Sequence, residues 1–252
     1  MAKIAVFDSG LGSLSIIKSI QKKVIADIIY FADQKNFPYG TKSVVELRKI
    51  IKSTIVMLDR NFRPDLIVIG SNTPSLLLKK IINNPRIIGV FPPLKDAKRK
   101  TKTKTIAILA TKSVIESNAL QNYIKKNLAK KIKVIKINAS PLVELVESGK
   151  FIDNKKLCKS KIKKILLKPF LKYHVDVATL SSTHLPFLLP FFKQIFPNII
   201  FLDPGNIIAE QIANKLRRQK NTKTLAIFAS GNVQDFQKKL SKIGIKNKVR
   251  SL

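Results

Sequence analysis

Short runs rich in Val, Ile and Leu alternate along the chain with longer stretches in which apolar side chains recur every three or four positions. The runs KIAVFD (3–8), DIIYFA (27–32), DLIVIG (65–70), RIIGVF (86–91), TIAILA (105–110), KVIKIN (133–138), VDVATLS (175–181), NIIFLD (198–203) and TLAIFA (224–229) predict strands. They are nearly continuous in apolar residues, the pattern of strands buried on both faces of a parallel sheet. The stretches 12–23, 41–61, 114–128, 155–173, 205–219 and 233–243 carry the helical period. Strand and helix patterns in alternation predict an α/β fold.

A repeat lies inside that alternation. IAVFDSG (4–10) aligns with IAILATK (106–112), an offset of 106 − 4 = 102, and VIGSNTP (68–74) aligns with TLSSTHLP (179–186), an offset of 179 − 68 = 111. Duplication predicts two pseudo-symmetric domains, each a mainly parallel sheet flanked by helices. The division falls near Pro92-Pro93, and KDAKRKTKTK (95–104) reads as a basic loop. TLAIFASGNV (224–233) resembles the opening strand again, so the tail is expected to return to the first domain. The expected domains are 1–94 plus 206–252, and 95–205.

Ligands of open parallel sheets bind outside the carboxyl ends of the strands, which makes the residues following each strand the candidates. These are Asp8, Ser9 and Gly10 after the first, Pro38, Tyr39 and Gly40 after the second, and Ser71, Asn72 and Thr73 after the third. In the second half they are Thr111, Lys112 and Ser113, then Ser182, Thr183 and His184, with Glu144 and Glu147 on the helical pattern of SPLVELVESG (140–149). Each has a plainer use: Asp8 and Ser9 as caps of a helix beginning near Leu11, Tyr39-Gly40 as a turn, Asn72 and Thr73 as caps before a Pro, His184 as a packed residue. Recurrence of polar groups at the same edge of two sheets points instead to a small, polar, anionic ligand.

Charge adds less than its size suggests. The 252 residues hold 48 Lys and Arg against 15 Asp and Glu, a formal net of +33. Only eight of the 48 are Arg, and the lysines are scattered among Ile and Asn, residues that A/T-rich codons favour. Without Arg forks and stacking aromatics in these runs, nucleic acid is not the expected partner. The single Cys158 allows no internal disulfide and fits a reducing compartment, so the expected location is cytoplasmic. The opening MAKIAVFDSG lacks the pattern of a secretory signal. LPFLLPFFKQIFPNIIFL (185–202) is broken by Pro186, Pro190, Lys193 and Pro197, so no membrane association is expected. Neither a complete dinucleotide glycine fingerprint nor a GKS/GKT motif occurs. With one Cys and two His, His174 and His184, no zinc site is expected, and no cofactor.

VFDSGLGSLS (6–15), YFADQKNFPYGTKS (30–43), SNTPS (71–75), ASPLVELVESG (139–149) and LSSTHLPFLLP (180–190) resemble, in order and over essentially the whole chain, the motifs of the cofactor-independent aspartate/glutamate racemases, and within them the glutamate racemase family. FLDPG (201–205) and FASGNVQDF (228–236) continue the likeness; Pro92-Pro93-Leu94 departs from the family's Glu-Pro-Gly. The resemblance implies a site in the cleft between two domains, interconversion of L- and D-glutamate by two-base transfer of the α-proton, D-glutamate for peptidoglycan, and a homodimer. It also implies roles. Asp8 and Ser9 meet the substrate amino group or orient the first acid–base residue, Tyr39, Gly40, Asn72, Thr73 and Thr183 hold carboxylates, and His184, supported by Glu147, assists the second side. The family's two acid–base residues are cysteines, and Ser71 and Ser182 stand in their places. A hydroxyl is a far weaker acid than a thiol. Substituted serines, slow serine-supported turnover and a catalytically silent glutamate-binding or regulatory protein are the three readings this leaves open.

Overall fold

The computed structural model describes residues 2–216 and 223–252, so the last three residues of the expected 205–219 helix lie outside the described residues. The chain forms two compact units, residues 1–90 with 205–252, and residues 91–204.

In the first unit, strands β1 (Lys3–Asp8), β2 (Asp27–Ala32), β3 (Leu66–Ile69), β4 (Ile87–Gly89), β9 (Leu225–Ala229) and β10 (Val249–Ser251) form one sheet in the order β10-β9-β2-β1-β3-β4. Its strand pairs are parallel. The helices of this unit are α1 (Leu14–Lys23), α2 (Val44–Phe62), α3 (Asn72–Leu77), α11 (Gly205–Lys215) and α12 (Val233–Lys242). The tail strand β9 pairs with β2, Tyr30 opposite Ile227.

In the second unit, β5 (Thr105–Ala110), β6 (Lys133–Asn138), β7 (Val177–Leu180) and β8 (Ile200–Leu202) run parallel in the order β6-β5-β7-β8. Around them lie α4 (Leu94–Lys100), α5 (Lys112–Ile115), α6 (Asn118–Asn127), α7 (Ser140–Glu147), α8 (Lys150–Asp153), α9 (Lys155–Lys172) and α10 (Leu189–Ile195).

Both sheets contain the same four-strand arrangement: β2-β1-β3-β4 in one and β6-β5-β7-β8 in the other. The register repeats with it. Ile4 lies opposite Leu66 and Ile106 opposite Val177, and these pairs differ by 106 − 4 = 102 and 177 − 66 = 111, the two offsets read from the sequence. Even the bond that closes the third strand recurs: Gly70 N donates to Phe7 O at 2.8 Å and Ser181 N to Leu109 O at 2.8 Å.

Several expectations need correction. KDAKRKTKTK is not a loop throughout, because α4 occupies 94–100 with Leu94 and Ala97, one turn apart, both buried. Asp96 in its first turn and Lys98, Arg99 and Lys100 in its last suit the helix dipole. The helix expected over 114–128 breaks into α5 and α6, since the Ser117 side chain accepts from Leu120 N and starts a new helix. The helix expected near Leu11 begins at Leu14, with Ser13 rather than Asp8 or Ser9 at its N-cap. Ser71, not Asn72 or Thr73, stands at the N-cap of α3. Continuous burial also fails at both edge strands of the second sheet, β6 with Lys133 and Lys136 exposed and β8 with Ile200 exposed; the lysines of β6 discourage pairing with another chain. The short β10 was not anticipated.

Candidate active site

The carboxyl edge of the first sheet gathers one corner. β1 ends at Asp8, 1% exposed, whose Oδ1 accepts from Ser9 N at 2.7 Å. β2 leads directly into Asp33, and Asp33 N donates to Asp8 O at 2.7 Å, which ties the two strand ends together. A one-turn 3-10 helix, Tyr39–Thr41, follows and turns the Tyr39 ring inward, where its hydroxyl donates to Asp33 Oδ2 at 3.0 Å. Burial first, and then the charges of Asp33 and Asp8, hold the Tyr39 phenol protonated well above its ordinary range. Thr41 N and Lys42 N close this turn, whereas the Tyr39 and Gly40 N–H groups precede it and take no part in it.

β3 ends at Ile69, and Gly70 carries the chain to Ser71. The β1–β3 register sets Phe7 opposite Ile69, so Asp8 and the Ser71 turn leave the same sheet edge side by side. Ser75 anchors that turn. Its Oγ donates to Ser71 O at 2.7 Å and accepts from Val90 N at 2.9 Å. Asn72 Nδ2 donates to Val90 O at 3.1 Å, while Asn72 Oδ1 is buried with no partner. A buried amide oxygen left unbonded costs about 1–3 kcal/mol, and a donor on a bound ligand would remove that cost. Thr73 is buried beside it and Ser71 is half-buried.

The second unit builds the matching corner. β7 ends at Leu180, then Ser181, whose Oγ lies 2.9 Å from Thr179 Oγ1, precedes Ser182. Ser182, Thr183 and His184 are all buried, and Leu185 N donates to Ser182 O at 3.0 Å to hold the turn. His184 Nε2 lies 3.0 Å from Glu147 Oε2. A carboxylate can only accept, so the ring N–H donates, and a neutral His184 carries its lone pair on Nδ1. Glu147, at the last turn of α7, is 8% exposed, whereas Glu144 on the same helix faces solvent. Lys112 N takes Ser140 Oγ as its acceptor at 3.0 Å, so the Thr111-Lys112-Ser113 corner is bound to the start of α7.

Asp8, Asp33 and Tyr39 are thus brought together in the first unit, with Ser71 and Asn72 along the same edge; Ser182, Thr183, His184 and Glu147 are brought together in the second. Two residues escaped the sequence reading. Asp33 accepts from Asn36, Tyr39 and Ser230, and its place at the end of β2, matching Asp8 at the end of β1, was the available signal. Ser75 left no such signal, because its role depends on Val90. Among the described residues no group of three or more His, Cys, Asp and Glu converges, and no helix is long and apolar enough to cross a membrane.

No protein-family model matches the chain. Individual proteins do. It is 32% identical over 233 residues to the glutamate racemase of Haemophilus ducreyi, covering 88% of this chain and 84% of that protein. It is 32% identical over 237 residues to the glutamate racemase of Buchnera aphidicola subsp. Schizaphis graminum, covering 91% of each. Among solved structures, glutamate racemase isoform RacE1 of Bacillus anthracis superposes with a TM-score of 0.86 at 23% identity, covering 100% of this chain and 97% of that one. The Escherichia coli glutamate racemase, crystallised with L-glutamate and the activator UDP-MurNAc-ala, superposes with a TM-score of 0.85 at 23% identity, covering 100% and 98%. The structures establish the fold and the near full-length identities establish descent, so the chain that carries Ser71 and Ser182 just beyond its two matched strands belongs to the glutamate racemase family.

Proposed function

We propose that this chain binds glutamate at its two matched corners and interconverts the L and D enantiomers, with Ser71 and Ser182 exchanging the roles of base and acid. One observation carries the reading. Ser71 and Ser182 are related by the offset 182 − 71 = 111 that also relates β3 to β7, so each stands one residue beyond an equivalent backbone hydrogen bond in its own unit. Racemisation takes a proton from one face of the α-carbon and delivers one to the other, which calls for two acid–base groups. A duplicated strand-end supplies them.

The remaining residues divide by chemistry. Asp8, Ser9 and the unpartnered Asn72 Oδ1 suit an ammonium group. The N–H groups of Tyr39, Gly40, Asn72, Thr73 and Thr183 suit carboxylates. His184, oriented by Glu147, assists proton transfer at Ser182. Domains 1–94 plus 206–252 and 95–205 each contribute one corner under this reading, and the protein works as a homodimer in the cytoplasm, supplying D-glutamate for peptidoglycan.

A second reading rests on the same two residues. A hydroxyl yields no thiolate-like base near neutral pH, while a thiol titrates near 8.5, and each acid–base group is worth about 10²- to 10⁴-fold in rate. The alternative is a catalytically silent glutamate-binding protein. Circular dichroism of L-glutamate solutions, with calorimetry of glutamate binding, separates the two. Racemisation by the chain, rising by about 10²-fold or more in Ser71→Cys/Ser182→Cys, supports the enzyme. Binding without turnover in the chain and full turnover in the double variant supports the silent protein. Neither binding nor turnover in either form sinks both.

A further inference from the structure

On the first unit, a groove of about 680 Å³ opens between α2 and the segment that runs from the end of α3 through the 3-10 turn Lys79–Asn83 to β4. That volume lies in the range of about 300–1,000 Å³ typical of small-ligand sites. Its floor is apolar: Leu78 and Ile87 are buried, and Ile55 and Ile81 are half-buried. Its rim is cationic. Arg48 and Lys52 stand one turn apart on α2, and Lys79 and Lys80 come from the 3-10 turn.

No carboxylate lines the groove. On this unit Arg86 pairs with Asp59 and Lys42 with Glu46, whereas none of the four rim cations forms an ion pair among the described residues. Like charges at that helical spacing repel, and the apolar floor between them is open to water. A second copy of this chain would bring the same four positive charges to the rim, which argues against self-association there. An apolar body with an anionic head satisfies both halves of the groove: the body covers the floor and the head takes the Arg48 fork and neighbouring ammonium groups.

We propose that this groove binds one small amphiphilic anion, with a phosphate or carboxylate head on an apolar body. The test is calorimetric titration with decyl phosphate and with decanoate, below their micellar concentrations and with saturating glutamate present to keep the amphiphile from the candidate active site. Binding of one molecule per chain is expected. Arg48→Glu/Lys52→Glu should weaken it about tenfold or more, equivalent to about 1.4 kcal/mol. Lys163→Glu/Lys164→Glu, which makes the same change in net charge on the exposed face of α9, should leave it within about twofold. Whichever of the two amphiphiles binds more tightly identifies the head group. Equal losses in the two double variants, or displacement by inorganic phosphate alone at equal concentration, would overturn the proposal, because either result means general attraction of anions to a basic protein. All four positions are exposed, so circular dichroism should find both variants folded.

Discussion

Gly70→Ala puts one methyl group where the structure has no room for it. Gly70 is pinned by its N–H bond to Phe7 O at 2.8 Å. A Cβ there would meet Phe7 O at 3.1 Å and Ser13 Oγ at 2.9 Å, and would come nearer still to Ser13 Cβ. Ser13 cannot swing aside, because its Cβ is attached directly to the first turn of α1, whose Leu14, Ile16, Ile17 and Ile20 are buried. Overpacking of this kind costs about 1–3 kcal/mol; a rigid neighbour places the cost near about 2 kcal/mol or above, or roughly 4–8 °C in melting temperature for a protein of this size. The double variants sharpen the test. Ser13→Gly removes both offending atoms, and Ser13 makes no side-chain cap bond, so Gly70→Ala/Ser13→Gly should recover most of the loss. Ser13→Ala keeps the Cβ, so Gly70→Ala/Ser13→Ala should not. Urea denaturation followed by far-ultraviolet circular dichroism reads each ΔG, and the cycle should give a coupling of about 1–2 kcal/mol. A Gly70→Ala cost below about 0.5 kcal/mol, within the range of an ordinary surface change, or equal rescue by Ser13→Ala and Ser13→Gly, refutes the reasoning.

Other outcomes can be stated briefly. Tyr39→Phe should destabilise the fold by about 1–3 kcal/mol by removing a donor from buried Asp33, and glutamate affinity should fall with it, as calorimetry can check. Burial raises the Tyr39 phenol and pushes Tyr123 up to about 12; a raised folded value means their stabilisation is complete below about pH 10 and is lost only as pH climbs through the folded values. The 295 nm titration up to pH 11 should accordingly be unchanged in Tyr123→Phe. For Asp176, burial alone would raise the carboxyl, but hydrogen bonds from Thr103 N, the Thr101 hydroxyl and Lys102 N together bring it below its usual value. Its stabilisation is therefore present above about pH 3.9 and fades as pH falls through the folded value, so the stability gap between the chain and Asp176→Asn should shrink from pH 7 to pH 2.5. In the Ser182→Cys/Ser71→Cys background, Glu147→Gln should lower kcat by about 10-fold or more and shift its pH profile while leaving KM within about twofold; an unchanged pH profile would reduce Glu147 to a packing role.

Strands were easy to read because each needs only a few apolar residues in a row, which the central strands of a parallel sheet bury on both faces. The duplication was readable for a related reason: IAVFDSG and IAILATK had to keep the same alternation of bulk to fill the same place in each sheet. What escaped was set by neighbours distant in sequence. α4 hid within a lysine-rich stretch because only Leu94 and Ala97 reveal its buried stripe, and Ser117 broke a helix that periodicity alone would have carried through. At the site, residue types that end strands could be named in advance, and the family resemblance placed Glu147 behind His184 across 37 positions, but the pairing of Asp33 with Ser230 spans 197. Those distances are closed by topology, which no local pattern encodes.

The common register of the two sheets has a further implication at Gly70 and Ser181, which hold the same address in their respective halves. One is bare because the start of α1 presses on it; the other carries a hydroxyl that bridges to Thr179. Each position is filled to suit its own surroundings. Transplanting residues between the halves should fail at this address even though strand order, register and the closing backbone bond are the same, so the symmetry is a poor guide to interchangeable parts.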